Sequence, residues 1–249
     1  MKSIRTLILL KLITILMVCF GVSASSAQPL INQPHLANSS IRHNEVLEYG
    51  IKVRGIPAGT QTLQVNGKKL LDGQEVYHLK SVSKIKSFFS IFYSFSNRSE
   101  SFVQSDSLYP LHYTKKIRDG GYKGSIDVVF DWDNQVARVV KDQKKTEVCI
   151  LPGIQDELSM IYLLRSKELE VGQDYQFPFL SGDKTLKTTV EILRTERLGT
   201  ILGTLDTIVI ETNPENITIW LTNDSLRIPV KIEARTKIGK LVSKLKAVH

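Results

Sequence analysis

The sequence predicts a mainly β protein: a strongly curved antiparallel sheet, or half-open barrel, of ten to twelve strands with one central covered helix at about 154–170. Three observations carry this prediction. Apolar and polar residues alternate with a period of two over most of the chain beyond Glu45. A single segment switches to helical spacing. Gly-, Asn- and Asp-containing turn signals separate the alternating runs.

In chain order, the first segment is an export signal. MKSIR is a short positive n-region and LILLKLITILMVCFGV an apolar h-region broken only by Lys11. Ser25 and Ala27 then place small residues at the −3 and −1 positions of a cleavage site. The apolar run is about 16 residues, short of the ~20 that a spanning helix needs. Residues 1–27 therefore read as a signal peptide cleaved near Ala27, the alternative being an uncleaved anchor. Cys19 follows Val18, a bulky residue where lipoprotein processing requires a small one, so lipid anchoring at Cys19 is not expected. Polar, proline-containing residues 28–44 read as a flexible lead-in and 45–249 as one β-rich domain.

Within that domain Leu47, Tyr49, Ile51 and Val53 alternate with Glu48, Gly50, Lys52 and Arg54. Leu63 and Val65 continue the pattern, and Asn66-Gly67 supplies a hairpin turn before a return strand at 75–83. Ile126, Val128, Phe130 and Trp132 alternate with Ser125, Asp127, Asp131 and Asp133, and Asp133-Asn134 turns the chain into VARVV. Segment 154–170 has Ile154, Leu158 and Ile161 at helical spacing. Its acids come early and its bases late, as the helix dipole favours, and Gly172 follows as a stop. It is apolar nearly all round and so should be covered. Strands follow at 173–180, 184–194, 204–212, 216–222, 227–235 and 240–247. Alternation of this kind marks strands with one buried face, as in an antiparallel sheet.

The chain has 249 residues, 42% hydrophobic and 23% charged, which excludes a disordered chain, a collagen-like fibre and a coiled coil. The formal charge of +8 includes Lys2, Arg5 and Lys11 of the leader, so the mature surplus is modest. Lysines 237, 240, 244 and 246 read as protection of an edge strand against edge-to-edge pairing, and no nucleic-acid partner is expected.

No catalytic signature occurs: no GxSxG, HExxH, P-loop, GxGxxG or CxxC, and no histidine pair at metal-ligand spacing. No catalytic residue, metal or cofactor is therefore assigned. His78 and His112 read as strand-face histidines, Cys149 as a buried structural thiol, and Asp131 with Asp133 as turn-capping carboxylates. The aromatic run IKSFFSIFYSF places Phe89, Tyr93 and Phe95 on one strand face and Phe88 with Phe92 on the other. In NITIWLT, Trp220 faces away from Ile219 and Leu221. Such two-sided apolar strands are core or line a cavity. Phe89, Tyr93, Trp132 and Trp220 are the candidate ligand-lining residues.

Several segments in order together resemble a bacterial domain-of-unknown-function family, number 3108. They are EYGIKVRGIPAGTQTLQV, SFSNRSESF, SLYPLHY, DELSMIYLLRSKELEVG and IWLTNDSLRIPVKIEA. The more specific pieces are the Gly55–Gly59 turn, Asp156 with Tyr162 and Arg165, and Trp220 through Pro229. Thr222 stands where serine is the commoner residue. The resemblance implies an exported envelope protein and offers no active site to carry over. The architecture is also similar to periplasmic lipoprotein carriers that cup an acyl chain, an analogy of fold only.

Three readings of function follow. The first is a periplasmic, non-enzymatic protein binding a hydrophobic small molecule or lipid, such as an acyl chain, in the concave face. The second is a structural or interaction module of the cell envelope with a protein or peptidoglycan partner. The third is a hydrolase with an undetected carboxylate site. An apolar pocket on the concave face favours the first and a filled core the second.

Overall fold

The computed structural model describes residues 41–85, 95–214, 216–236 and 239–249. Its strands are β1 (Val46–Val53), β2 (Ile56–Leu71), β3 (Gln74–Ile85), β4 (Phe95–Gln104), β5 (Pro110–Asp119), β6 (Tyr122–Asp131), β7 (Val136–Lys141) and β8 (Lys144–Cys149). After helix α1 (Glu157–Ser166) come β9 (Asp174–Ser181), β10 (Lys184–Thr200), β11 (Gly203–Asn213), β12 (Ile217–Thr222), β13 (Pro229–Thr236) and β14 (Gly239–Val248). They form one antiparallel sheet of 14 strands, more than the ten to twelve expected, in the order β8-β7-β6-β5-β4-β3-β2-β1-β14-β13-β12-β11-β10-β9. The surplus includes β4, whose inward positions include Ser99 and Ser101, both buried, so its hydrophobic alternation is faint in sequence.

The topology is two meanders fanning outward from a central pairing of β1 with β14. The chain crosses from the outer edge of one meander, β8, to that of the other, β9, through α1. The two edges approach without forming a continuous ladder. Lys141 Nζ lies 3.1 Å from Asp183 Oδ1. Gln155 donates its N–H to Pro178 O (3.0 Å) and accepts from Leu180 N (2.9 Å), so the segment before α1 straps onto β9. The result is a barrel-like sheet that is not closed.

Four local expectations change. Asn66-Gly67 is not a hairpin turn: it lies inside β2, where the register with β3 slips between Val65 and Lys68. The left-handed φ of +76° at Gly67 makes the bulge, and the reversal falls at Asp72-Gly73, both with positive φ, as a two-residue hairpin requires. The lysine-rich last strand is not an edge: β14 sits between β1 and β13, its lysines at 240, 244 and 246 turned out and Ser243 and Leu245 buried. Helix α1 is shorter than 154–170. Ile154 is buried among the residues of β5–β7 and Gln155 spends its backbone on β9, while Lys167 is already extended. Finally, Ile41, just before the domain, is buried in the main core.

The core has three parts. Leu158 and Tyr162 of α1 join Leu47, Leu63, Tyr77, Leu79 and Leu245. Met160 and Leu164, from the same helix, join Phe177, Val190, Ile210 and Ile219. The third gathers Tyr113, Val128, Phe130, Ile150, Ile154 and Leu180. The helix thus presents apolar groups to both meanders, as its nearly all-round hydrophobicity requires.

Gly59 shows how closely the sheet is fitted. A Cβ there would lie 2.1 Å from the carbonyl oxygen of Lys84 on β3. Because the obstacle is backbone, Gly59→Ala must part β2 from β3. It should cost about 1–3 kcal/mol in urea unfolding, with no loss of secondary structure by circular dichroism.

Candidate functional site

Among the described residues, polar side chains gather in a largely buried cluster beside α1 and on the outward face of β3–β6.

The buried cluster forms where α1 meets the start of β1 and the loop 223–228. Asp156 caps the helix, its carboxylate accepting from Leu158 N (2.7 Å), Ser159 N (2.9 Å) and Ser101 Oγ (2.6 Å), while its own N–H donates to Ser159 Oγ (2.8 Å). Burial pushes the Asp156 carboxyl up to about 6, against the pull of those three donors. Further along the helix, Arg165 reaches Glu45 with both terminal guanidinium nitrogens, at 2.6 and 2.9 Å, with neither side chain exposed beyond 1%. Its Nε donates to Leu226 O, and the guanidinium lies 5.1 Å over the Tyr162 ring. Burial opposes the Arg165 charge, and Glu45 outweighs it, raising the arginine's pKa. Tyr49 Oη donates to Pro229 O (2.7 Å), and burial raises its pKa as well. Asp224 organises the adjoining loop by accepting from Leu226 N and Arg227 N. The cluster thus joins pieces singled out in sequence: Asp156, Tyr162 and Arg165 with the stretch from Trp220 to Pro229. It is a clasp holding α1 in place, with Glu45, Asp156 and Arg165 all buried.

The outward face of β3–β6, turned away from α1, carries two grooves. At one end a groove of about 520 Å³ is lined by Asp72, Gln104, His112, Val129, Trp132 and Arg138, among others. Trp132 contributes little free ring. It stacks near-parallel to Tyr109 at 4.8 Å and to Phe130 at 6.4 Å, and its indole N–H donates to Pro110 O. At the other end a groove of about 890 Å³ is lined by Lys80, Lys84, Arg98, Lys116, Arg118 and Lys123, together with Ser96, Ser125 and Asp142. Sequence reasoning missed this second group. Its signal is the alternation of cations along single strands, such as Lys116 with Arg118, and it becomes a cluster only through strand register.

Of the four predicted lining residues, two can be placed, Trp132 and Trp220, and they lie in different core parts. Phe89 and Tyr93 lie outside the described residues. Trp132 packs at the margin of the third core part and Trp220 within the first. Trp220 is buried and fully engaged: it donates to Glu196 Oε1 (3.0 Å), and Lys231 Nζ sits 3.7 Å over its ring.

His78 is a strand-face residue, stacked on Phe102 at 4.4 Å, with Glu100 Oε2 2.8 Å from Nε2. Burial lowers its pKa despite Glu100. His112 Nε2 lies 3.3 Å from Asp127 Oδ1. Asp131 accepts from Asn134 N and binds Arg138, as a turn aspartate should. Cys149 is exposed, not buried as expected: it is the last residue of β8, the outermost strand of its meander, whose side chains are exposed or half-buried. Among the described residues, no three of His, Cys, Asp and Glu gather as a metal site would require, and no helix is long and apolar enough to cross a membrane.

The fold has a solved counterpart. A beta-barrel-like protein of domain of unknown function DUF1849 from Brucella abortus is similar, with a TM-score of 0.56 at 12% identity. The likeness covers 84% of this chain and 98% of that one. At this identity it speaks for architecture alone. No curated protein matches the chain. The model of the family described as "Protein of unknown function (DUF3108)" matches residues 47–246, a span that begins in β1, ends in β14 and includes both α1 and the 223–228 loop, and the chain belongs to that family.

Proposed function

We propose that this protein is an exported, non-enzymatic interaction module of the cell envelope, delivered to the periplasm by the leader that ends near Ala27. The observation that supports this most is the occupancy of the sheet's inside. Seven residues of α1 are buried there, and two of the three core parts close around it. A ligand cupped beside those residues would have to displace a helix that is clasped by Glu45 and capped by Asp156. The grooves lined by described residues instead open on the outward face of β3–β6, where an envelope protein or peptidoglycan can reach them.

The test uses mature protein purified from its own envelope. Native mass spectrometry should give the bare mass, and a fluorescent fatty acid should show no displaceable binding. A photo-crosslinking residue at Val129, 44% exposed in the Trp132 groove, should trap one discrete envelope component. A stoichiometric acyl ligand, or no crosslink in the native host, would overturn the reading in favour of lipid binding.

A further inference from the structure

Strand register resolves the basic groove into rows running across four strands. One row is Lys84, Ser96, Arg118 and Lys123, each directly opposite the next. The row beside it is Val82, Arg98, Lys116 and Ser125. Lys80 begins the following row, in which Glu100 and Asp127 appear. Two neighbouring rows thus hold five cations and two hydroxyls, and the acids begin only in the third.

This arrangement does not serve the fold. Arg98 faces Lys116 and Arg118 faces Lys123 across adjacent strands, and like charges in that position oppose sheet formation. Lys80, Lys84, Lys116, Arg118 and Lys123 form no ion pair among the described residues; of the six, only Arg98 does, with Glu100. The one carboxylate in the lining, Asp142, is engaged by Ser125 N (2.8 Å) and Tyr122 Oη (2.8 Å). A concave surface lined by one sign of charge concentrates its field on the space it encloses. The spacing is regular: about 5 Å between strands and about 7 Å between alternate residues along one.

We infer that this groove binds a ligand carrying two or more phosphate groups. The two arginines offer forked donors suited to phosphate oxygens, the lysines add point charge, and Ser96 and Ser125 supply hydroxyl donors between them. The inference stands apart from the interaction-module reading, since the groove lies at the opposite end of the strands from Val129 and can succeed or fail independently of it.

The test is calorimetric titration of the mature protein with inorganic tripolyphosphate at low salt, beside flotation with vesicles of phosphatidylglycerol in phosphatidylcholine. Saturable binding that weakens with added salt is expected. Arg118→Gln with Lys123→Gln should weaken it by about tenfold or more. Both residues are exposed, so the fold should survive, and a thermal melt checks that the double variant is at least as stable as the parent. Lys187→Glu, exposed on β10 in the other meander, should leave binding unchanged. Tripolyphosphate binding alone assigns soluble phosphate esters. Vesicle binding with the same dependence on Arg118 and Lys123 assigns lipid headgroups. Binding of neither probe, equal loss in the Lys187 variant, or equal affinity for polyglutamate would overturn the proposal.

Discussion

Arg165→Ala should lower the unfolding free energy by about 3–5 kcal/mol, a large part of the ~5–15 kcal/mol that holds a typical domain together. The cost comes less from the attraction lost than from the partner left behind. Glu45 is buried, and its two oxygens are met by the two terminal guanidinium nitrogens. Without them a carboxylate must stay ionised in an apolar surrounding or take up a proton. The Leu226 carbonyl loses a donor as well. Arg165→Lys should recover part of the loss and no more, because one ammonium cannot match the fork. The double change Glu45→Gln with Arg165→Met should be markedly more stable than Arg165→Ala, since removing both charges removes the unpaired one. Urea midpoints of the four proteins, compared at one pH, decide the matter. An Arg165→Ala protein within 1 kcal/mol of the parent would show that α1 is held by apolar packing alone.

Asp156 gives the second large effect, and it depends on pH. Asp156→Ala removes the cap and strands the N–H groups of Leu158 and Ser159 and the Ser101 hydroxyl inside the protein. About 2–4 kcal/mol should be lost at pH 7.5. Asp156→Asn keeps an acceptor oxygen and should be far milder there. The two substitutions diverge from the parent as the medium is acidified. The carboxyl titrates near 6 in the folded protein against an ordinary 3.8, so between those values the folded state holds the proton more firmly than the unfolded chain. Its stabilising contribution is therefore complete below about pH 3.8 and is lost as pH rises through about 6. The gap corresponds to about 3 kcal/mol at most. The parent should accordingly gain on Asp156→Asn as pH falls from 7.5 to 4.5. A difference that stays flat, or shrinks, would mean that Asp156 is fully ionised in the folded state.

Much of the fold was legible in the sequence because burial on one face writes itself as alternation. Ile126, Val128 and Phe130, or Val230 and Ile232, could be assigned to a face before any coordinates. The count fell short where inward positions are small and polar, as at Ser99, which donates to Asn97 Oδ1, and Ser101, which serves the Asp156 cap. Asn66-Gly67 misled because the same left-handed glycine that builds a turn also builds a bulge, and only the partner strand distinguishes them. Strand position was hidden altogether: nothing in KLVSKLK says that its neighbours are β1 and β13. The sites were less legible still. The clasp needs Glu45 and Arg165, which are far apart in sequence, and the basic groove needs four strands in register before Lys84, Arg118 and Lys123 become one surface. Aromatic residues drew attention by their rarity, yet Trp132 and Trp220 proved to be engaged by neighbours within the chain.

The central pairing of β1 with β14 sets a timetable. Val46 and His249 exchange backbone hydrogen bonds, and Tyr49 Oη meets Pro229 O across a separation of 180 residues. Until β14 is synthesised, each meander ends in a raw border at the middle of what will be one continuous surface. A chain threaded outward from its amino end would therefore arrive with its seam open, and assembly must wait for the carboxyl-terminal strand. Contacts of such long sequence separation form slowly, so the polypeptide stays unfolded for a time after its last strand is made.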